Sequence, residues 1–157
     1  MKQLDITTPI MIAHYEELST VDQQLVDASR EASLRAYAPY SKFSVGAAIL
    51  LSNGEVITGA NQENVAYPSG TCAERTACFY AHAKYPDALF QAIAISARDT
   101  KGNEVAHPIS PCGSCRQALL EYEMLAKENT KVILVGANEI YIIPSIKSLL
   151  PLAFSEF

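Results

Sequence analysis

The chain has 157 residues, 49% of them apolar and 18% charged, with a formal net charge of -5. That length and composition suit a single globular domain, residues 1–157, with one sizeable core. No clustered Lys/Arg footprint is present, so a nucleic-acid partner is disfavoured; no apolar run approaches a membrane span or the core of a signal peptide, so we expect a cytoplasmic protein without a membrane partner.

Residues 1–18 are the least readable and form an N-terminal extension of unclear role. Ile6, Ile10 and Ile12 hint at an extended segment packed on the domain. Thr20 with Gln23 three residues later forms a capping box and opens the first helix. Val21, Leu25, Ala28, Ala32 and Ala36 give it an apolar face, and Pro39 ends it. Two apolar runs, VGAAILL and EVITGANQEN, flank Asn53-Gly54, the strongest short hairpin signal. A second helix is predicted from near Cys72 through Ala83, then a strand FQAIAISA. The loop DTKGNEVAHPISP leads to a third helix from about Cys112 to Ala126. KVILVG reads as a short buried strand, and EIYIIP as a further candidate. Strands alternating with helices predict a layered α/β domain with a mixed sheet.

In a reducing compartment, four cysteines point to metal binding or catalysis before disulfides. Cys112-Gly113-Ser114-Cys115 alone is ambiguous between a zinc site and a redox pair. The segment Thr71-Cys72-Ala73-Glu74-Arg75 also falls at a helix start. Three cysteines on two helix N-termini can meet at one ion, and the positive helix ends favour thiolates. Three protein ligands and an open fourth position are the pattern of catalytic zinc. Cys78 lies six residues and most of two turns beyond Cys72, roughly 9 Å along the helix axis, so it is expected to stay off the metal as a small buried residue. His107, in the loop before Cys112, is expected to be solvated. Glu74, two residues from a ligand and not itself ligating, is placed for general acid–base work.

The pair Cys72-Ala73-Glu74 and Pro111-Cys112-Gly113-Ser114-Cys115 resembles the signature of the zinc nucleoside deaminases, whose metal and glutamate roles are established. YSKFSVGAAIL at 40–50, NQEN at 61–64, TCAERTA at 71–77, PISPCGSCRQ at 108–117 and LLPLAF at 149–154 resemble the small cytidine deaminases in particular. The resemblance runs from about residue 20 to the end. Ser44 and the stretch 67–70 depart from the usual pattern.

The resemblance implies a three-layer α/β/α fold and one zinc ion per chain held by Cys72, Cys112 and Cys115. It implies hydrolysis of cytidine or 2′-deoxycytidine to the uridine product and ammonia, in pyrimidine salvage. Water activated at the metal would attack C4, with Glu74 as proton shuttle. Two zinc charges against three thiolates leave a net of -1, and the resemblance gives Arg75 the role of bonding the ligand sulfurs. Asn61 and Glu63 would bind the ribose 3′-hydroxyl, and Phe43 would pack on the pyrimidine or sugar. Ala73 and Tyr67 join the substrate-binding set, and Phe154 would reach a neighbouring subunit's site. The implied assembly is a homotetramer with shared active sites. The competing expectations are deamination of another cytosine compound, such as a nucleoside antibiotic or a nucleotide, and a non-catalytic zinc-binding protein.

Overall fold

A computed structural model describes residues 1–155. In chain order the elements are β1 (Met11–Ala13), α1 (Thr20–Ser33), β2 (Ser44–Leu51), β3 (Val56–Ala60), α2 (Ala73–Lys84), β4 (Phe90–Arg98), α3 (Gly113–Ala126), β5 (Lys131–Val135) and β6 (Ile140–Ile143). The strands form one sheet in the order β1-β6-β5-β4-β2-β3. Only β4 and β5 run parallel; the remaining neighbours are antiparallel. The mixed α/β sheet expected from the alternation of elements is therefore present.

Two cores lie on opposite faces of that sheet. Ala48, Ala94, Ile133 and Val135 pack under Leu25 and Val26 of α1. Ala47, Ile49, Ile95 and Leu134 pack under Ala77, Cys78 and Ala81 of α2 and Leu119 and Leu120 of α3. Alternate residues of each strand serve opposite faces, so β2, β4 and β5 read as nearly continuous apolar runs. The result is three layers, with α1 on one side and α2 with α3 on the other. Gly59 of β3 permits the close approach of α2: a Cβ there would lie 2.5 Å from the Ala77 nitrogen and 2.7 Å from the Ala73 oxygen. The hairpin turn closes where expected, with the Gly54 N–H donating to the Leu51 carbonyl and Gly54 at φ 84°.

Three local expectations need correction. The α1 cap is Ser19, not Thr20: the Ser19 Oγ accepts from the Asp22 N–H at 3.2 Å, while the Gln23 side chain donates to the Tyr15 carbonyl. The helix also stops at Ser33, well before Pro39. Its backbone is recruited elsewhere, since Tyr37 N–H donates to Asn61 and the Tyr37 carbonyl accepts from Glu63 N–H. The buried face is rotated as well. Asp22, Leu25, Val26, Ser29, Ala32 and Ser33 are buried, and Val21 is exposed. Small polar residues fit this face because Gly46 of β2 packs directly against the Ser29 and Ser33 backbone. Their polar atoms are satisfied: Ser29 and Ser96 share a hydrogen bond, and Lys131 Nζ lies 2.6 Å from Asp22.

The N-terminal segment reaches the sheet only at β1, which pairs antiparallel with β6. Ile6, Ile10 and Ile12 are themselves largely exposed.

Candidate active site

Two helices with their N-termini at one place build the site. Cys72 is the N-cap of α2 and Cys112 the N-cap of α3, both with extended backbone; Cys115 follows in the first turn of α3. Neither cap side chain bonds a backbone N–H of its helix. The unpaired N–H groups of a helix start carry partial positive charge, which suits thiolates beside them.

The sulfurs of Cys72, Cys112 and Cys115 lie within 4.8 Å of one another, with Cys72 and Cys112 at 4.0 Å. Tetrahedral zinc with bonds of about 2.3 Å separates its sulfurs by about 3.8 Å. The donor set therefore fits zinc with a small contraction. Three soft sulfurs on rigid helix ends leave a fourth position for a non-protein ligand. The thiols already compete for a proton. Hydrogen bonding from Cys115 lowers Cys72 to about 5, helped by Arg75. The same bond, followed by burial, pushes Cys115 upward.

Arg75 lies over this cluster. Its Nη2 donates to the Cys72 sulfur at 3.7 Å, and its Nε is buried with no hydrogen-bond partner among the described residues. The Cys72 sulfur, and then Cys115, hold its protonated form more firmly than usual. A cation in that place offsets an accumulation of thiolate charge.

Glu74 occupies the first turn of α2 and is only 3% exposed. Burial pushes its carboxyl above the usual carboxylate range, and bonds from its own N–H and the Cys115 thiol oppose the shift. Ala73 beside it is fully buried. Cys78 faces the core: its thiol donates to the Arg75 carbonyl, and burial raises it to about 12. His107 sits apart, bonded to Glu139 at 2.9 Å.

The segment 61–63 is brought next to the cluster by a bridge of backbone bonds between Gln62 and Thr71, the residue before Cys72. Asn61 Oδ1 accepts from the Val45 N–H and Asn61 Nδ2 donates to the Phe43 carbonyl. The amide thus clamps the half-buried Phe43, keeping one N–H and one lone pair spare. Glu63 accepts from Tyr40 N–H at 2.8 Å and Ser41 N–H at 3.3 Å. The Ser41 hydroxyl first, then these amides, hold its carboxyl below the usual range. Glu63 is therefore an ionised acceptor, open to donors.

Tyr67 and Phe154 are both largely exposed. Tyr67 is 83% exposed on a short 3-10 turn. Phe154 lines an outer groove of about 840 Å³ between α2 and α3, with Arg75, Phe79, Gly113, Gln117 and Tyr122. Two residues escaped the sequence reading. Arg116 and Glu123 both bond the C-terminal segment to α3. A charge on a predicted helix ordinarily signals a solvated face, so no sequence feature marked them.

Comparison with known proteins agrees with this geometry. The family model described as the cytidine and deoxycytidylate deaminase zinc-binding region matches residues 19–135. A cytidine deaminase of Halalkalibacterium halodurans is 42% identical over 134 residues, covering 85% of this chain and 93% of that protein. One of Sporosarcina psychrophila is 46% identical over 102 residues, covering 64% and 68%. The crystal structure of cytidine deaminase from Burkholderia pseudomallei superposes with a TM-score of 0.71 at 37% identity, covering 87% of this chain and all of that one. With its cluster of three thiols in the matched region, the chain belongs to the cytidine and deoxycytidylate deaminase family of zinc-binding enzymes.

Proposed function

We propose that the enzyme hydrolyses the 4-amino group of cytidine and 2′-deoxycytidine, releasing ammonia, as a step of pyrimidine salvage. The observation that carries this reading is the convergence of three thiols within 4.8 Å beside a buried, non-ligating Glu74. Relatives named cytidine deaminase support the substrate.

Cys72, Cys112 and Cys115 hold the metal, and Arg75 balances their charge. When bound, zinc supplies Lewis-acid activation of the attacking water. Glu74 takes one proton from the attacking water and delivers it to ring N3, then carries the remaining proton of the hydroxyl added at C4 to the amine, so that ammonia leaves and the 4-oxo group forms. Its burial serves both tasks, because a carboxyl held above the usual carboxylate range binds a proton more readily than an exposed one and can pass it on. Ala73, on the same helix turn, contributes backbone to the base pocket. Phe43 packs on the pyrimidine or sugar and is held there by Asn61. Glu63 keeps a lone pair for the ribose 3′-hydroxyl, which its ionised state selects as a donor; Asn61 adds its spare amide groups.

The exposure of Phe154 supports a homotetramer in which this side chain reaches a neighbouring subunit's site, and Tyr67 stays in the substrate-binding set. We read residues 1–157 as one domain, with β1 joining the extension to the sheet. A cytoplasmic location suits free thiols and a nucleoside substrate; no helix of the described residues is long and apolar enough to cross a membrane. The direct test is ammonia release from cytidine before and after removal of zinc by a chelator. Activity should vanish with the metal and return on adding zinc. Undiminished turnover by metal-free protein would reject the mechanism.

A further inference from the structure

Arg116 follows the Cys115 thiol in the chain but turns away from it. Its side chain runs toward the start of α3, the direction in which helical side chains tilt. The Nε donates to the Pro111 carbonyl at 2.8 Å, and Nη1 donates to the Leu149 carbonyl at 2.9 Å. Both acceptors stand outside regular helical bonding. Pro111 is buried and precedes the Cys112 N-cap; Leu149 is buried and ends the 3-10 turn Lys147–Leu149. One guanidinium thus satisfies two carbonyls from segments far apart in sequence, using the planar fork that lysine lacks.

The Pro111 carbonyl lies in the rigid peptide plane that leads into Cys112. Holding that oxygen sets the plane from which Cys112 departs at φ -66° and ψ 164°. Cys112 is the exposed member of the thiol cluster, and Cys115 is fully buried. Packing therefore fixes Cys115, whereas Cys112 depends on its backbone. On the Leu149 side, the chain is anchored independently: Glu123 accepts from the N–H groups of Ile146 at 2.6 Å and Lys147 at 3.1 Å.

We infer that Arg116 is a positioning residue for the metal centre: braced against Leu149, it locks the Pro111–Cys112 peptide and so aims the Cys112 thiolate. This rests on the reading of Cys112 as a zinc ligand. Groups that hydrogen-bond around metal ligands affect affinity by about 10–100-fold when removed, because the ligand then pays to be ordered. Arg116→Ala should release zinc to a competing chelator about 10–100-fold faster than the unaltered protein.

Four proteins make the test: the unaltered chain, Arg116→Ala, Arg116→Lys and Glu123→Gln. Each is loaded with zinc for the release measurement and with cobalt(II) for thiolate-to-metal absorption. Glu123→Gln weakens the anchor at Ile146 and Lys147 but leaves the Arg116–Pro111 bond in place, so it should lower the melting temperature and speed zinc release far less than Arg116→Ala. Arg116→Ala should speed release and weaken the cobalt–thiolate band; Arg116→Lys, able to reach one carbonyl, should fall between. Should the alanine variant fail to fold, the lysine variant alone decides, since a release rate equal to the unaltered protein's overturns the inference. Equal acceleration by Glu123→Gln and Arg116→Ala also overturns it, because general loosening would then suffice. Absence of any cobalt–thiolate band in the unaltered chain would instead remove the metal reading itself.

Discussion

The thiol cluster and the segment 61–63 are built on different supports. The cluster stands on the ends of two helices pressed onto one sheet face. Its sulfurs converge within 4.8 Å and Glu74 is buried beside them. The segment 61–63 is irregular chain, held by single backbone bridges and by the side chains of Asn61 and Glu63 themselves. Helix ends make a site whose geometry follows from the fold, whereas the loop makes one whose geometry follows from its own polar side chains. Chemistry should therefore fail abruptly on substitution, and substrate choice should change by degrees.

Cys112→Ala gives the largest effect and tests the first half of this contrast. Metal analysis should find zinc falling from close to one per chain to nearly none, and cytidine turnover should disappear. A variant that kept both would move the metal elsewhere. Glu74→Gln comes next. It should retain zinc and the melting profile, while kcat falls by about 10²–10⁴-fold, the usual worth of positioned proton transfer. Turnover close to that of the unaltered enzyme would assign the acid–base role to another group.

The sugar side should respond more gently. The unaltered enzyme should prefer cytidine over 3′-deoxycytidine by at least about tenfold in kcat/KM, because a site built around a hydroxyl rejects its absence. Glu63→Ala should lower activity on cytidine and shrink that preference, with 2′-deoxycytidine tolerated far better than the 3′-deoxy compound. Equal losses on cytidine and 3′-deoxycytidine would mean that Glu63 only braces Tyr40 and Ser41. Cys78→Ala sits at the bottom of the scale. It should cost about 1 kcal/mol of stability in a denaturant titration, typical of a core point change, and leave zinc content untouched.

The same contrast governs what could be read before the structure was known. Helix starts at Cys72 and Cys112, the Asn53-Gly54 turn and the strand at 90–98 are local signals, and each element lies within a residue or two of its expected place. Features set by distant partners were illegible. The end of α1 depends on Tyr37 pairing with the chain at Asn61 and Glu63. The buried serines of α1 depend on the missing side chain of Gly46 across the interface. β1 is only three residues long and borrows its conformation from β6. Arg116 serves carbonyls that no side-chain pattern reveals. In the site, the thiols and Glu74 were recognisable as types at spacings, but the clamping of Phe43 by Asn61 was not, because it follows from where β2 begins.

The small strand β1 has a consequence unrelated to turnover. Without it, β6, with the sequence Ile-Tyr-Ile-Ile, would be the border of the sheet beside the equally apolar β5. A bare border of that composition invites pairing with foreign strands, and natural sheets blunt such borders with short or covered strands. Met11, Ile12 and Ala13 occupy those backbone groups and offer a replacement border only three residues long, preceded by Pro9. The N-terminal extension thus covers a border that would otherwise be open to pairing, and a chain lacking it is expected to self-associate more readily through β6.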